Sequence, residues 1–362
     1  MKKIAIDCRM INNSGIGTYL REILPYLLET QNQFLLIGNR EKLKEFLEYK
    51  NVELLECDIK IFSLEELFFF PVKPINQCDI YYSPNFNIAL GIKIPIYLTI
   101  HDVIFLDMPE LTSKLGYIVR KFYYKLAYKK AKKIFTVSNF SKKRIEEHLG
   151  REKKIVVTYN GVSKYILEKS DEKYIKKDYI IFVGNIKKHK GLKILLEAFK
   201  LVKKEDKKLK LVIVGNQNNF RTKDKEVIEL LEDRNLNKDI IFTGYVDNKE
   251  LKKLIAEARI LVQPSLYEGF GIPPLEALAL GTNVIVSDIE VFREVYTQMN
   301  IIFFKLNDKN DLSKKILSYN LIVENRLKNE EILEKYSYFN VSQIYKESYY
   351  EIRLENNNKK FK

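Results

Sequence analysis

Short apolar runs, many closed by Gly, Ser or Asp, alternate along the whole chain with longer amphipathic stretches, and this limits the fold more than any other feature. The first block of runs is KIAID (3–7), FLLIG (34–38), IYYS (80–83), IPIYLTI (94–100), KIFTV (133–137) and KIVVTY (154–159). Helix-like segments such as YLREILPYLLE (19–29) and SKKRIEEHL (141–149) lie between them. Strands and helices in alternation predict an α/β fold, a parallel sheet covered by helices. After Asn160-Gly161 the pattern stops. Residues 163–178 are charged, lack an apolar face, and read as a linker with a short helical turn. The alternation then restarts with YIIFVG (179–184), LKLVIVG (209–215), DIIFTG (239–244), RILVQPS (259–265), NVIVSD (283–288) and IIFF (301–304). A chain of 362 residues also exceeds one typical core. Two Rossmann-like domains with an interdomain cleft are expected, with ligands at the carboxyl ends of the strands.

The formal charge of +14 favours an anionic partner: nucleic acid, a membrane face or a phosphorylated small molecule. Charge alone does not choose among them, and a lysine-rich solvated surface is the plain alternative. Cys8, Cys57 and Cys78 are far apart and form no CxxC pair, which argues against a disulfide framework or a zinc site. The opening MKKIAIDCRM reads as a first strand, since its apolar run ends at Asp7 and Arg9. Runs such as LFFFPV (67–72) fall far short of the ~20 residues of a membrane span.

The stretch LYEGFGIPPLEA (266–277) leaves a strand, bares its backbone at Gly269-Phe270-Gly271, and enters a helix through Pro273-Pro274. Gly281 is placed to cap that helix. A glycine loop at a helix N-terminus suits phosphate. Glu268 and Glu276 do not bind phosphate; carboxylates accept hydrogen bonds from sugar hydroxyls. Together they point to a nucleotide sugar. The plain alternative is a solvated Glu268 with Glu276 supporting the helix dipole.

Other candidates follow strands. Gly15-Ile16-Gly17 sits between a strand and a helix; the full GxGxxG is absent because position 20 is Leu, which disfavours a nicotinamide enzyme. It reads either as a source of N–H groups for a diphosphate or as a tight turn only. His101 follows IPIYLTI at a strand end. Lys190, in NIKKHKG, is placed to neutralise a leaving diphosphate. Asn216 and Gln217, after LVIVG, are polar donors toward a ligand. No HExxH, CxxC pair or DxD is present, so no protein-bound metal is expected.

The sequence EGFGIPPLEA resembles the E-x7-E motif of the retaining GT-B glycosyltransferases of family GT4. MINNSGIGTYLREIL, TIHDVIFLDMPE, TVSNFSKKRI, FVGNIKKHKGLKILLEAF and YSYFNVSQIYKESY resemble further segments of that family, so the likeness covers nearly the whole chain. It implies a GT-B fold: an acceptor-side domain over 1–163, completed by 336–356 through a C-terminal helix that crosses back, and a donor domain over 178–335. It implies that Glu276 holds the ribose and Glu268 the transferred sugar. Gly269, Phe270 and Gly271 would face sugar or phosphate. Gly244-Tyr245-Val246 would lie near the base, and His101 near the transferred sugar and the acceptor. Many relatives carry Arg after the glycine of the first donor-domain strand; here Asn185 follows Gly184, which puts one diphosphate contact in doubt, with Lys188 or His189 as substitutes. The implied donor is a UDP- or GDP-sugar used without metal or other cofactor. The implied acceptor is a glycan or polyprenyl-linked glycolipid of envelope polysaccharide synthesis. The implied location is the cytoplasm or the inner face of the cytoplasmic membrane.

Residues 114–133, KLGYIVRKFYYKLAYKKAKK, carry many Lys and Arg, interleaved aromatics and no acid. A helix of this kind suits an anionic membrane surface or a lipid phosphate. Single-stranded nucleic acid is a second option, and burial of the aromatic side with a solvated basic side the plain one. No nucleic-acid partner is expected, because no recognised module is present. The rivals to a glycosyltransferase are an epimerase-like GT-B enzyme of nucleotide sugars, a basic nucleic-acid-binding protein, and a catalytically dead relative.

Overall fold

The structure, a computed structural model, describes residues 1–168, 172–215, 225–318 and 334–360. It divides into two compact units, Met1–Gly161 with Ser337–Lys362, and Val162–Tyr336.

The first unit holds β1 (Lys3–Asp7), β2 (Gln33–Gly38), β3 (Val52–Glu56), β4 (Ile80–Ser83), β5 (Ile96–Thr99), β6 (Ala131–Thr136) and β7 (Ile155–Val157). They form one sheet in the order β3-β2-β1-β4-β5-β6-β7, and every neighbouring pair is parallel. The edge strand β3 escaped the sequence reading, because VELLE exposes Glu53 and Glu56 and lacks a continuous apolar run. Successive residues of a strand face opposite sides, so Tyr81 packs with Ala5 and Leu35 on one face and Tyr82 with Ile4, Ile6 and Leu36 on the other. The second face is covered by the helix Ser14–Leu28 and by the helix Tyr338–Lys360, whose Tyr338, Val341, Tyr345 and Tyr349 are buried there at helical spacing. The hydroxyls of Tyr82 and Tyr345 both bond to Thr99 Oγ1, at 2.8 and 2.7 Å, so these phenols are buried with partners.

The second unit holds β8 (Lys177–Val183), β9 (Lys210–Val214), β10 (Ile240–Gly244), β11 (Ala258–Gln263), β12 (Asn283–Ser287) and β13 (Ile302–Phe304). Its sheet is also parallel, in the order β10-β9-β8-β11-β12-β13. Central strands such as YIIFV are buried on both faces, which is why they read as unbroken apolar runs. Among its described residues the linker stretch supplies one short helix, Lys164–Leu167, with Ser163 at the N-cap position, before β8 begins.

Strand order fixes where ligands can sit. In the first sheet the chain reverses direction between β1 and β4; in the second it reverses between β8 and β11. In an open α/β sheet the carboxyl end of such a pair is where ligands bind.

The basic segment needs correction. The helix spans Lys114–Lys130 only, and Ala131 already belongs to β6. Lys133 is consequently a buried strand residue, its Nζ 3.1 Å from Ser348 Oγ, and is no part of an exposed basic face.

Candidate functional site

At the carboxyl ends of β8 and β11 in the second unit, two loops lean on each other. The loop after β8 carries Asn185, exposed, and then the one-turn 3-10 helix Lys188–Lys190. Gly191 closes that turn with φ +69°, and a Cβ there would lie 1.9 Å from the Pro264 carbonyl oxygen. Only glycine lets the two backbones approach so closely. The Leu266 N–H then bonds to the His189 carbonyl at 2.7 Å, pinning the loop after β11 to the loop after β8.

This pinning brings Lys190 to Glu268. Lys190 Nζ lies 2.7 and 2.8 Å from the two Glu268 oxygens. Ser265 Oγ donates to Glu268 Oε1 at 2.7 Å, and Gln263 Nε2 approaches the same oxygen at 3.4 Å. The Glu268 side chain is only 9% exposed. Burial by itself would raise its pKa, but the Lys190 ammonium and the Ser265 hydroxyl outweigh burial and hold the carboxyl below its usual range. Burial, with Lys190 beside it, pushes His189 down to about 4, so its ring is neutral at pH 7.

After Glu268 the chain is buried through Gly269, Phe270 and Gly271. The Phe270 ring packs edge-on to Tyr336 at 5.7 Å and belongs to the interior. Gly271 caps the helix Ile272–Ala279 at φ +93°, where a Cβ would meet the Phe292 ring at 2.5 Å. Its carbonyl accepts the Tyr296 hydroxyl. Proline occupies the opening positions of the helix, as the sequence predicts. Glu276 lies in the second turn and not the first, so it is not a dipole-supporting residue. It is 4% exposed, and Ser163 Oγ donates to its Oε1 at 2.6 Å, with the Tyr165 hydroxyl at 3.4 Å. Tyr245, after β10, is 91% exposed, and Val246 beside it is half-buried. Gly244 before them has φ +71° and open space around it. Asn216 and Gln217 lie outside the described residues.

In the first unit, the carboxyl ends of β1 and β4 are followed by a buried charged cluster. Arg9 donates to Asp7 Oδ2 at 2.6 Å and to Glu66 Oε1 at 2.5 Å, and Asn87 Nδ2 reaches the same two carboxylates at 3.1 and 2.7 Å. Burial disfavours the Asp7 carboxylate, but Arg9 outweighs it and holds Asp7 below its ordinary pKa; for Glu66 burial wins and the pKa rises. The sequence reading used Asp7 and Arg9 only to end an apolar run. Asp7 closing a strand was the available signal; Glu66 and Asn87 had none.

His101 follows β5, half-buried, with its ring edge-on to Tyr19 at 4.9 Å. Its Nε2 is 3.0 Å from the Pro84 carbonyl. A carbonyl only accepts, so Nε2 is assigned the proton and Nδ1 is left as an acceptor. Burial pushes this histidine down to about 4. Gly15 and Gly17 require correction: they lie inside the helix Ser14–Leu28 and not in a loop before it. The Gly17 N–H is bonded to the Asn13 carbonyl at 2.6 Å, and a Cβ there would stand 2.5 Å from the Ile11 carbonyl oxygen. Gly17 is therefore a close-packing residue. Gly15, with open space around its Cα, is in the first turn, where N–H groups lack intrahelical partners.

Among the described residues, no group of three or more His, Cys, Asp and Glu is arranged to hold a metal ion, and no helix is long and apolar enough to cross a membrane.

Comparison with known proteins agrees with this architecture. Residues 14–164 match the model described as Glycosyltransferase Family 4, and residues 164–338 match the model described as Glycosyl transferases group 1. The O-antigen chain mannosyltransferase RfbU of Salmonella typhimurium is 34% identical over 201 residues, 55% of this chain and 54% of that protein. O-antigen chain mannosyltransferase B of Escherichia coli is 29% identical over 252 residues, 66% of this chain and 64% of that protein. The match thus spans between half and two thirds of these relatives' lengths. Sucrose-phosphate synthase from Thermosynechococcus elongatus has a TM-score of 0.74 at 14% identity, covering 98% of this chain and all of that one. Anabaena HepE, solved with UDP and glucose, also gives 0.74, at 16% identity, over 96% of this chain and 99% of that one. With two parallel Rossmann-like sheets and matches that run end to end from residue 14 to residue 338, the chain belongs to the family 4, group 1 glycosyltransferases.

Proposed function

We propose that the protein transfers a hexosyl group from a nucleotide sugar to a glycan or lipid-linked glycan, with retention of anomeric configuration and without a metal ion. The observation that carries this is the buried Lys190–Glu268 pair at the switch point of the second sheet, beside a helix entered through Gly271. An ammonium has three N–H donors. Two go to Glu268, and the third is assigned to a phosphate oxygen of the donor. Glu268 accepts one bond at Oε2, which leaves that oxygen capacity for a hydroxyl of the transferred sugar. Glu276, positioned by Ser163, takes the ribose hydroxyls. The exposed Tyr245 ring, with Val246, offers a face to the base.

In the reaction the bond from the anomeric carbon to the phosphate oxygen breaks. The acceptor oxygen bonds to that carbon from the same face, and the acceptor proton passes to the departing phosphate. Lys190 and the N-terminus of the helix Ile272–Ala279 stabilise the charge that develops on the leaving diphosphate. The first unit takes the acceptor, with neutral His101 presenting Nδ1 to a hydroxyl. The likeness to O-antigen chain mannosyltransferases favours mannose as the sugar and envelope polysaccharide as the product. The basic helix Lys114–Lys130 rests on an anionic membrane that carries the acceptor.

The test is turnover of mannosyl and glucosyl nucleotides with a lipid-linked acceptor, followed by proton NMR. Acceptor-dependent release of nucleoside diphosphate, a product of unchanged anomeric configuration, and full rate in chelator are expected. An inverted product, or conversion of the donor sugar with no acceptor present, would overturn the reading.

A further inference from the structure

The first unit exposes an apolar ridge that the basic-helix reading does not include. On the helix Leu64–Phe69, Leu64 is 75% exposed, Phe68 63% and Phe69 76%. On the helix Lys114–Lys130, Leu115, Ile118 and Phe122 are 71, 61 and 48% exposed. Isolated exposed apolar residues need no explanation, but six large ones on two adjoining helices form a patch.

The two helices touch. The Tyr123 hydroxyl bonds to the Ser63 carbonyl at 2.9 Å, and Ser63 is the N-cap of the helix Leu64–Phe69. The Phe62 ring lies 5.2 Å from Tyr123, which in turn meets Phe122 at 5.7 Å. Residues on a helix advance by about 100° each. Lys121, Phe122 and Tyr123 therefore mark three adjacent sides: an exposed cation, an exposed apolar side chain and a buried contact to residues 62–63. The apolar stripe runs between the lysine stripe (Lys114, Lys121, Lys125) and the short helix. Exposed Lys60 and Lys73 bracket that short helix, which carries one exposed acid, Glu65.

We infer that the helix Leu64–Phe69 is a membrane-insertion element, which sinks Leu64, Phe68 and Phe69 into the interface of an anionic bilayer while the lysines of the helix Lys114–Lys130 hold the headgroups. Charge decides the occupant. A second copy of this chain would bring lysine rows against lysine rows across a two-fold axis. Nucleic acid would satisfy the lysines and leave three aliphatic side chains, Leu64, Leu115 and Ile118, without a partner. An anionic bilayer satisfies both the rim and the ridge. The inference rests on the membrane contact proposed above and adds insertion to it; it does not depend on the transfer reaction.

The chain has no tryptophan, so Phe69→Trp introduces the only one. Emission of this full-length variant is followed with phosphatidylglycerol vesicles, with phosphatidylcholine vesicles and with a single-stranded oligonucleotide. Ile175→Trp, at an exposed position of the second unit, is the control. A move to shorter wavelength and quenching by brominated acyl chains are expected for Phe69→Trp, on the anionic vesicles only. Combined Leu64→Ser and Phe68→Ser should lower vesicle affinity about tenfold or more while turnover of a soluble acceptor is kept. Lys121→Gln with Lys125→Gln should remove the preference for anionic lipid. Vesicle binding with unmoved Phe69→Trp emission would overturn insertion while leaving the electrostatic contact. A shift that follows protein concentration without lipid, or one that only the oligonucleotide produces, would overturn the bilayer as occupant.

Discussion

Glu268 is a carboxylate at low exposure with Lys190 as its ion-pair partner beside the neutral donors Ser265 and Gln263, and its behaviour should show that. Removing Lys190 leaves the carboxylate buried and unpaired, which costs about 3–5 kcal/mol where geometry is this close. Lys190→Ala alone should therefore lower the urea midpoint strongly. Lys190→Met combined with Glu268→Gln should be less destabilised than the sum of the two single changes. Equal additivity in the urea titrations would show that the pair is not coupled. The histidines predict a pH dependence of definite sign. His101 and His189 titrate near 4 when folded, against an ordinary value of 6.5. The folded state thus binds fewer protons than the unfolded chain between these values. Stability is full above about pH 6.5 and falls as pH drops toward 4. The depressed Glu268 carboxyl adds to the loss as it protonates at the acid end. Denaturant midpoints at pH 7.5, 5.5 and 4.5 should fall in that order, and a flat series would contradict the burial of both rings.

At the scale of elements, the site is made by the contact between two loops, and glycine permits that contact. Gly191 and Gly244 both sit at positive φ, yet a Cβ at Gly191 would strike the Pro264 carbonyl, whereas one at Gly244 meets nothing within 4 Å. Gly244→Ala should cost about 1–2 kcal/mol, the backbone strain alone. Gly191→Ala should cost several times more and weaken nucleotide-sugar binding, because it drives Lys190 away from Glu268. Similar losses for the two variants, by calorimetry, would show that loop contact is not what places Lys190. This contact was not legible in the sequence. NIKKHKG and PSLYEGFG are more than seventy residues apart, and only the adjacency of β8 and β11 makes them neighbours. The prolines and Gly271 at the helix entry were legible, because their backbone chemistry is local. The start of that helix at Ile272 was not, and it puts Glu276 in the second turn, away from the dipole role the sequence left open.

Across the whole molecule, both units repeat one device: a parallel sheet whose strand order reverses once, with polar groups at the reversal. The apolar runs forecast the sheets, because strands buried on both faces must be apolar throughout. β3 was missed because an edge strand has no such obligation, and the run of lysines through 133 misled because one of them turns inward with β6. The Ser163 hydroxyl on Glu276 could not be foreseen, since it joins the linker to a helix more than a hundred residues on. The proposed transfer requires that the second unit hold a nucleotide sugar by Glu276 and by the Lys190–Glu268 pair. Isothermal titration of the full chain with UDP-, GDP-, ADP- and dTDP-sugars tests it most directly, beside Glu276→Gln and Lys190→Met. One nucleotide class should bind the native protein and lose about tenfold or more in affinity in each variant. Unchanged binding in Glu276→Gln, or no binding of any nucleotide sugar by the folded native chain, would contradict it.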